Sequence, residues 1–248
     1  MARVRTALAS RDGLAQICVV LAAVGGYELA RMVMVPDWDR AFDNAHSVVS
    51  FERVTGLAWE GSLQKVFLGV PDVVEAMNVF YFVGHFVLTG VFFAWLYHRS
   101  RGGFQLFRNA FLVATALAVV IHWKFPTAPP RLAGVGLQDT LLTLSGIDIG
   151  SPRSAALSNP VAAVPSLHAA YALGVGIGLF VYGRHVLTRA VGLLYPPTVV
   201  LTIVVTGNHF FVDAIAGVAV LAVGFGFAWW RRADRRSRDE GPSHPCLT

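Results

Sequence analysis

His209 and Asp213 stand four residues apart in Gly207-Asn-His-Phe-Phe-Val-Asp213. On a helix that spacing puts them on one face, one turn apart. A carboxylate so placed holds one imidazole nitrogen as N–H and leaves the other free as a nucleophile or base. The spacing alone suits a structural pair equally well, or two ligands of a metal with His168 as a third. His168 closes Pro165-Ser-Leu-His168. Proline suits the first turn of a helix, where its missing N–H has no partner to lose, and Ser166 suits the entrance. Free N–H groups at such an entrance attract anions, phosphate above all. Lys124 and Arg131 add two cations, arginine as a planar fork and lysine as a point charge. Singly, each is better explained by snorkelling to a membrane interface. Taken as a set, the five residues suit phosphoryl transfer. The cations grip the phosphate, one imidazole attacks, the other protonates the leaving oxygen, and Asp213 orients the attacker.

A second constellation is Asn78, Tyr81, His85 and Thr89, spaced 3, 4 and 4 apart. They form one polar stripe on a helix, and polar groups at membrane depth are costly against lipid, so the stripe is predicted to face a bundle interior. It either lines a head-group pocket or only hydrogen-bonds neighbouring helices. Asn208, beside His209, and Arg153, in a long loop, are further candidates for the pocket.

The elements that carry these residues are membrane helices. Of 248 residues, 55% are hydrophobic and 14% charged, and mean hydropathy is +0.57. A soluble domain carries about 25% charged residues. Apolar runs near the length that spans a bilayer fall at about 13–35, 73–97, 109–123, 166–182, 190–206 and 209–230. The expectation is an all-α membrane protein: one six-span domain over 1–240 and a disordered tail over 241–248. Residues 36–70 read as one or two interfacial amphipathic helices with Trp anchors, or as a packed loop. Residues 98–108 read as a short basic loop. A short helix is expected near 138–144, and a Pro196-Pro197 kink in the fifth span. In the first span, Glu28 and Arg31 can pair. The basic N-terminus resembles a signal peptide, but no cleavage site precedes Glu28, so an uncleaved span is expected.

Of the twenty Lys and Arg residues, thirteen fall in the N-terminal segment, the 98–108 loop, the 184–189 turn and the tail. By the positive-inside rule both termini are cytoplasmic. Lys124, His168 and His209 then share the extracytoplasmic edge, which places the active site there without reference to any motif. The same clustering reads as topology, so no nucleic-acid partner is expected. Cys18 and Cys246 offer neither a plausible disulfide nor metal spacing. Lysine occurs only at 65 and 124, an Arg-over-Lys bias that suits a GC-rich bacterium and hence a bacterial plasma membrane. No oligomeric state follows from the sequence.

Lys124-x6-Arg131, Pro165-Ser-x-His168 and His209-x3-Asp213, in this order over six spans, resemble the type 2 phosphatidic acid phosphatase superfamily. The motifs cover about 124–217. The resemblance implies metal-independent, cofactor-free catalysis through a phosphohistidine, with His209 as nucleophile, Asp213 as its orienter and His168 as general acid. Lys124, Arg131 and the Ser166 region would bind phosphate. Two positions depart from the phosphatases of this family. Thr202-Ile203 stand where those carry Ser-Arg, and Leu132 replaces the usual Pro after the arginine. A His-x3-Asp without the preceding Arg is more similar to the inositol phosphorylceramide and sphingomyelin synthase branch, which moves a phospho-head-group from a lipid to an alcohol. The expected function is therefore a lipid phosphotransferase, taking a phospholipid or polyprenyl-phosphate donor and an inositol, glycerol, glycan or ceramide hydroxyl as acceptor. The alternative is a lipid phosphatase with water as acceptor. A dianionic monoester needs more positive charge than a diester, so the lost arginine favours the transferase, unless Arg153 replaces it. A non-catalytic scaffold or transporter is the third reading, and the complete His, His, Asp, Lys, Arg set opposes it.

Overall fold

The computed structural model describes residues 36–149 and 160–239, with isolated residues between 13 and 29. Glu28, Arg31, Arg153 and the tail over 241–248 lie outside the described residues, as does most of the expected first span.

From Trp38 onward the described chain is helical, and its only strand-like pairing is an isolated bridge between Thr127 and Ala162. Two helices come first, α1 (Trp38–Thr55) and α2 (Glu60–Phe67). Asp37 caps α1 by accepting the Arg40 N–H at 3.1 Å, and Gly56 ends it in the left-handed conformation, the usual chemistry of helix ends. The inward face of α1 is Ala41, Ala45, Val48 and Glu52. Its apolar members pack with Ala128, Ala133, Val161 and Phe210 in a small second core. Of the two readings of residues 36–70, amphipathic helices or a packed loop, the structure has two helices, and they pack as a cap over the loops that carry the motifs.

The membrane-type helices follow. α3 (Pro71–Val79), a π turn (Phe80–Gly84) and α4 (His85–Arg99) run on as one apolar helix. α5 is Arg101–Lys124, α6 is the short Thr140–Ser145, α7 is Leu167–Tyr182, α8 is Val186–Val205 and α9 is Phe211–Asp239. Four of these segments, Pro71–Arg99, Arg101–Lys124, Val186–Val205 and Phe211–Arg235, are long and apolar enough to cross a membrane. α7, at 16 residues, is about 24 Å long at 1.5 Å per residue, shorter than the roughly 30 Å of a hydrocarbon core. One boundary differs clearly from expectation. The 98–108 segment is not a loop: Ser100 caps α5 through the Gly103 N–H, and Arg101 lies over the Tyr97 ring, so the helix begins eight residues before the expected start.

The main core joins α4, α5, α7, α8 and α9 through Phe92, Phe107, Phe111, Val175, Val199 and Leu221. α7 and α8 touch backbone to backbone. A Cβ on Gly176 would lie 2.5 Å from the Gly192 carbonyl oxygen, and one on Gly192 would lie 2.7 Å from that of Gly176. Small residues permit this approach, as is common between membrane helices. It sets the register that brings the start of α7 to the end of α8.

Candidate active site

α8 ends in a Schellman motif. Gly207 has φ +70; its N–H donates to the Val204 carbonyl and that of Asn208 to Ile203, both at 3.0 Å. The His209 N–H also donates to Ile203, at 3.1 Å. This turn hands the chain from α8 to α9 and delivers His209 beside the first turn of α9.

Three carboxyl groups hold that first turn. Asp213 Oδ2 accepts the Phe210 N–H at 2.9 Å, half of a capping box. Glu60 of α2 accepts the Phe211 N–H at 3.1 Å, and Glu52 of α1 accepts the Val212 N–H at 2.8 Å. These are the amides a helix leaves without internal partners, at its positive end. Glu52 and Glu60 also hydrogen-bond one another, which requires a shared proton. Burial, and then the neighbouring Glu60 and Asp213 charges, push the Glu52 carboxyl up to about 8, against the pull of the Val212 amide.

His209 Nδ1 lies 3.1 Å from Asp213 Oδ2 and 3.1 Å from the Ala163 carbonyl. Both are acceptors, so Nδ1 carries the hydrogen and Nε2, which takes no hydrogen bond among the described residues, keeps its lone pair. Asp213 is fully buried, and its Oδ1 has no partner among the described residues. The Ser166 N–H donates to the Asp213 carbonyl at 2.9 Å, tying the start of α7 to α9.

Ser166 is the cap of α7, accepting the Ala169 N–H at 3.3 Å. Pro165 therefore precedes the cap and does not open the first turn; its bond to Val164 is cis. His168 sits in the first turn, its ring centroid 5.7 Å from that of His209. Tyr81 stacks on His168 at 4.4 Å, and the His85 ring lies 5.0 Å away. The π turn explains the orientation of His168. The His85 amide reaches back five residues to the Phe80 carbonyl, so the Tyr81 carbonyl loses its ordinary amide partner. The Tyr81 backbone instead hydrogen-bonds the His168 ring, and His168 Nε2 is left buried without a partner. Nδ1 is thus the donor to Tyr81, and Nε2 is the nitrogen available for proton transfer.

Arg131 joins this cluster through Asn208, whereas the Lys124 ammonium lies over Trp123. Arg131 is buried, its Nε donating to Asn208 Oδ1 at 3.0 Å and its Nη1 to Asp139 at 2.6 Å. Its Nη2 makes no hydrogen bond among the described residues, leaving one edge of the fork for an anion. Asn208 therefore orients Arg131. Lys124 is exposed, with Nζ 4.1 Å from the centre of its neighbour Trp123. Asn78 binds the Thr140 carbonyl and Ser145, each at 2.8 Å, and so anchors α6 instead of lining a pocket. His85 pairs with the Tyr195 hydroxyl at 2.9 Å. Of the polar stripe, Tyr81 and His85 reach the histidines.

Sequence reasoning missed three contributors. His122 donates to the Pro165 carbonyl at 3.1 Å; it extends the inward register of Ala114 and Ala118 on α5, which was a readable signal. Glu52 and Glu60 lie in a segment read only for its amphipathicity. Glu52 continues the Ala41, Ala45, Val48 face, and an acid at the end of a buried stripe is the signal that marks it. Among the described residues, no group of three His, Cys, Asp or Glu is arranged to hold a metal ion.

A family model described as the PAP2 superfamily matches residues 46–227, well over half of the chain. Neither the curated proteins nor the solved structures yield a match.

Proposed function

The chain belongs to the PAP2 superfamily, whose members are generally phosphatases or phosphotransferases, and on that premise we propose that it is a membrane lipid phosphotransferase working through a phosphohistidine. The observation that carries the reading is the pair of Nε2 atoms, of His209 and His168, that take no hydrogen bond among the described residues, on rings 5.7 Å apart. His209 Nε2 attacks the phosphorus of a lipid phosphodiester. The bond from phosphorus to the lipid alcohol breaks, and His168, acting as the imidazolium with its Nδ1–H still on the Tyr81 carbonyl, gives the Nε2 proton to the departing oxygen and is left neutral. Asp213 and the Ala163 carbonyl stabilise the positive charge that develops on the His209 ring. An acceptor hydroxyl then attacks the phosphohistidine, His168 takes its proton, and the phosphorus–nitrogen bond breaks to restore His209.

The preference for a diester rests on charge. Arg131 is the one cation among the described residues that joins the histidine cluster. Ile203, where the family's phosphatases carry arginine, is fully buried in the apolar core. A single guanidinium suits a monoanionic diester better than a dianionic monoester. Water as acceptor would turn the same intermediate into a phosphatase product.

We further propose six spans: the four long apolar segments, α7, and a first span over 13–35. The distribution of arginine then puts both termini in the cytoplasm and the histidines at the extracytoplasmic edge.

The test follows the phosphorus. Purified protein and a His209→Ala control are incubated with phospholipids or polyprenyl phosphates, with and without inositol, glycerol or a glycan, and products are read by mass spectrometry. A new phosphodiester that needs both the alcohol and His209 is expected. Free phosphate released without an acceptor would make the protein a phosphatase, and turnover by the control would remove the phosphohistidine.

A further inference from the structure

At the other end of the bundle, some 20 residues along α9 from Asp213, α5 and α9 enclose a groove of about 380 Å³. One end of it is polar: Arg231, Arg232 and Arg235 from α9 face Gln105 and Asn109 from α5. The other end is apolar, walled by Leu112 and Phe227. No carboxylate lines it, and the three arginines make no hydrogen bond or ion pair among the described residues. Gly102 forms part of the floor; a Cβ there would lie 3.1 Å from Nη2 of Arg232, so its lack of a side chain lets the guanidinium lie against α5. Exposed Trp229 and Trp230 mark the same level as a membrane interface, where tryptophan concentrates.

We propose that this groove is a binding site for an anionic phospholipid of the leaflet opposite the histidine cluster. Three guanidinium groups over one small volume, none of them in an ion pair among the described residues, call for an anion with several acceptor oxygens, and arginine matches phosphate in a forked geometry. The continuous apolar wall calls for a hydrocarbon chain on the same molecule. A phospholipid supplies both, with its phosphate at the arginines and the start of an acyl chain along Leu112 and Phe227. Basic pockets between membrane helices bind acidic head groups in this way. A free phosphate ion would leave the apolar half of the groove unused.

The experiment measures lipid capture and does not depend on turnover. Protein in mild detergent is titrated with phosphatidylglycerol, with phosphatidylcholine and with inorganic phosphate, and bound lipid is read by native mass spectrometry alongside thermal stability. The intact protein is expected to retain phosphatidylglycerol and melt higher with it, and to respond to neither of the others. Each arginine removed should weaken capture about fivefold, so the triple Arg231→Gln, Arg232→Gln, Arg235→Gln variant should lose it. Gly102→Leu, which fills the floor without changing charge, should weaken capture too. The Arg184→Gln, Arg189→Gln variant, altered in another basic turn, should keep it. Equal capture by the triple variant, equal loss in the 184/189 control, or an equal response to inorganic phosphate would each overturn the proposal.

Discussion

The carboxyl group of Glu52, on the cap, accepts the amide of Val212, on the helix that bears Asp213, at 2.8 Å. The contact spans 160 residues of sequence and makes the cap a structural part of the histidine site. Glu60, its partner in a shared proton, holds the preceding amide.

That shared proton predicts how stability depends on pH. The folded protein keeps a proton on Glu52 from the ordinary carboxyl value of 4.5 up to about 8. In the same interval the unfolded chain has already released it. Unfolding therefore releases a proton, and raising the pH favours unfolding. The contribution is complete below 4.5 and is lost as pH rises through about 8. The groups that face Glu52 are Glu60, Asp213 and the Val212 amide; Arg53 and Lys65 line the adjoining cleft. Thermal melts in detergent from pH 5 to 9 should show stability falling with pH in the wild type, with a flatter profile in Glu52→Gln, whose amide oxygen still accepts from Val212. Parallel profiles would exclude Glu52 as the titrating group.

Asp213 binds His209 Nδ1 and the Phe210 amide through one oxygen. Asparagine in its place can present N–H toward the ring and favour the wrong tautomer. Asp213→Asn should lower kcat by about 10²- to 10⁴-fold with little change in KM. Steady-state kinetics, joined to chemical trapping of the phosphohistidine, checks this. A variant that accumulates the intermediate at the wild-type rate would show that Asp213 does not act on the attacking step.

If His168 supplies a proton to the leaving oxygen, a leaving group that needs none should bypass it. His168→Ala should lose about 10²- to 10⁴-fold on natural phospholipids but far less on a p-nitrophenyl phosphodiester. Equal losses on the two substrates would assign His168 to binding.

How far the sequence reached is visible in single residues. His209-x3-Asp213 and Ser166-x-His168 were legible because they are local patterns with local consequences, a shared helix face and a cap. Arg131 and Asn208 were found as candidates, but their mutual hydrogen bond joins positions 77 residues apart, and no periodicity encodes such a pairing. The Asn78 stripe faces inward, because polarity on an apolar helix demands it; that Asn78 meets α6 while Tyr81 meets His168 depends on the π turn that holds Tyr81. Nothing in Phe80-Tyr-Phe-Val-Gly84 announces that turn, since one carbonyl left unpaired is a tertiary bargain with His168. Lys124 shows the converse. Its place at the end of α5 followed from helix length, while its rotamer, over Trp123, is a surface choice open to a flexible side chain.

Arg131 offers the sharpest test of charge against geometry. Its backbone N–H binds the Gly207 carbonyl at 2.9 Å, its Nε binds Asn208 and its Nη1 binds Asp139. The first fixes the backbone and the other two fix the guanidinium plane, while Nη2 takes no hydrogen bond among the described residues. Lysine keeps the charge but has one nitrogen, which cannot serve Asn208, Asp139 and a phosphate together. Arg131→Lys should therefore lower kcat/KM by at least about tenfold, and the freed Asp139 carboxylate would repel an anionic substrate. Asp139→Asn removes that carboxylate while keeping an oxygen that can cap α6 through the Leu142 amide, so adding it to Arg131→Lys should restore part of the loss. Wild-type kinetics in Arg131→Lys would mean that Arg131 acts as a charge alone, and no recovery in the double variant would remove Asp139 from the account.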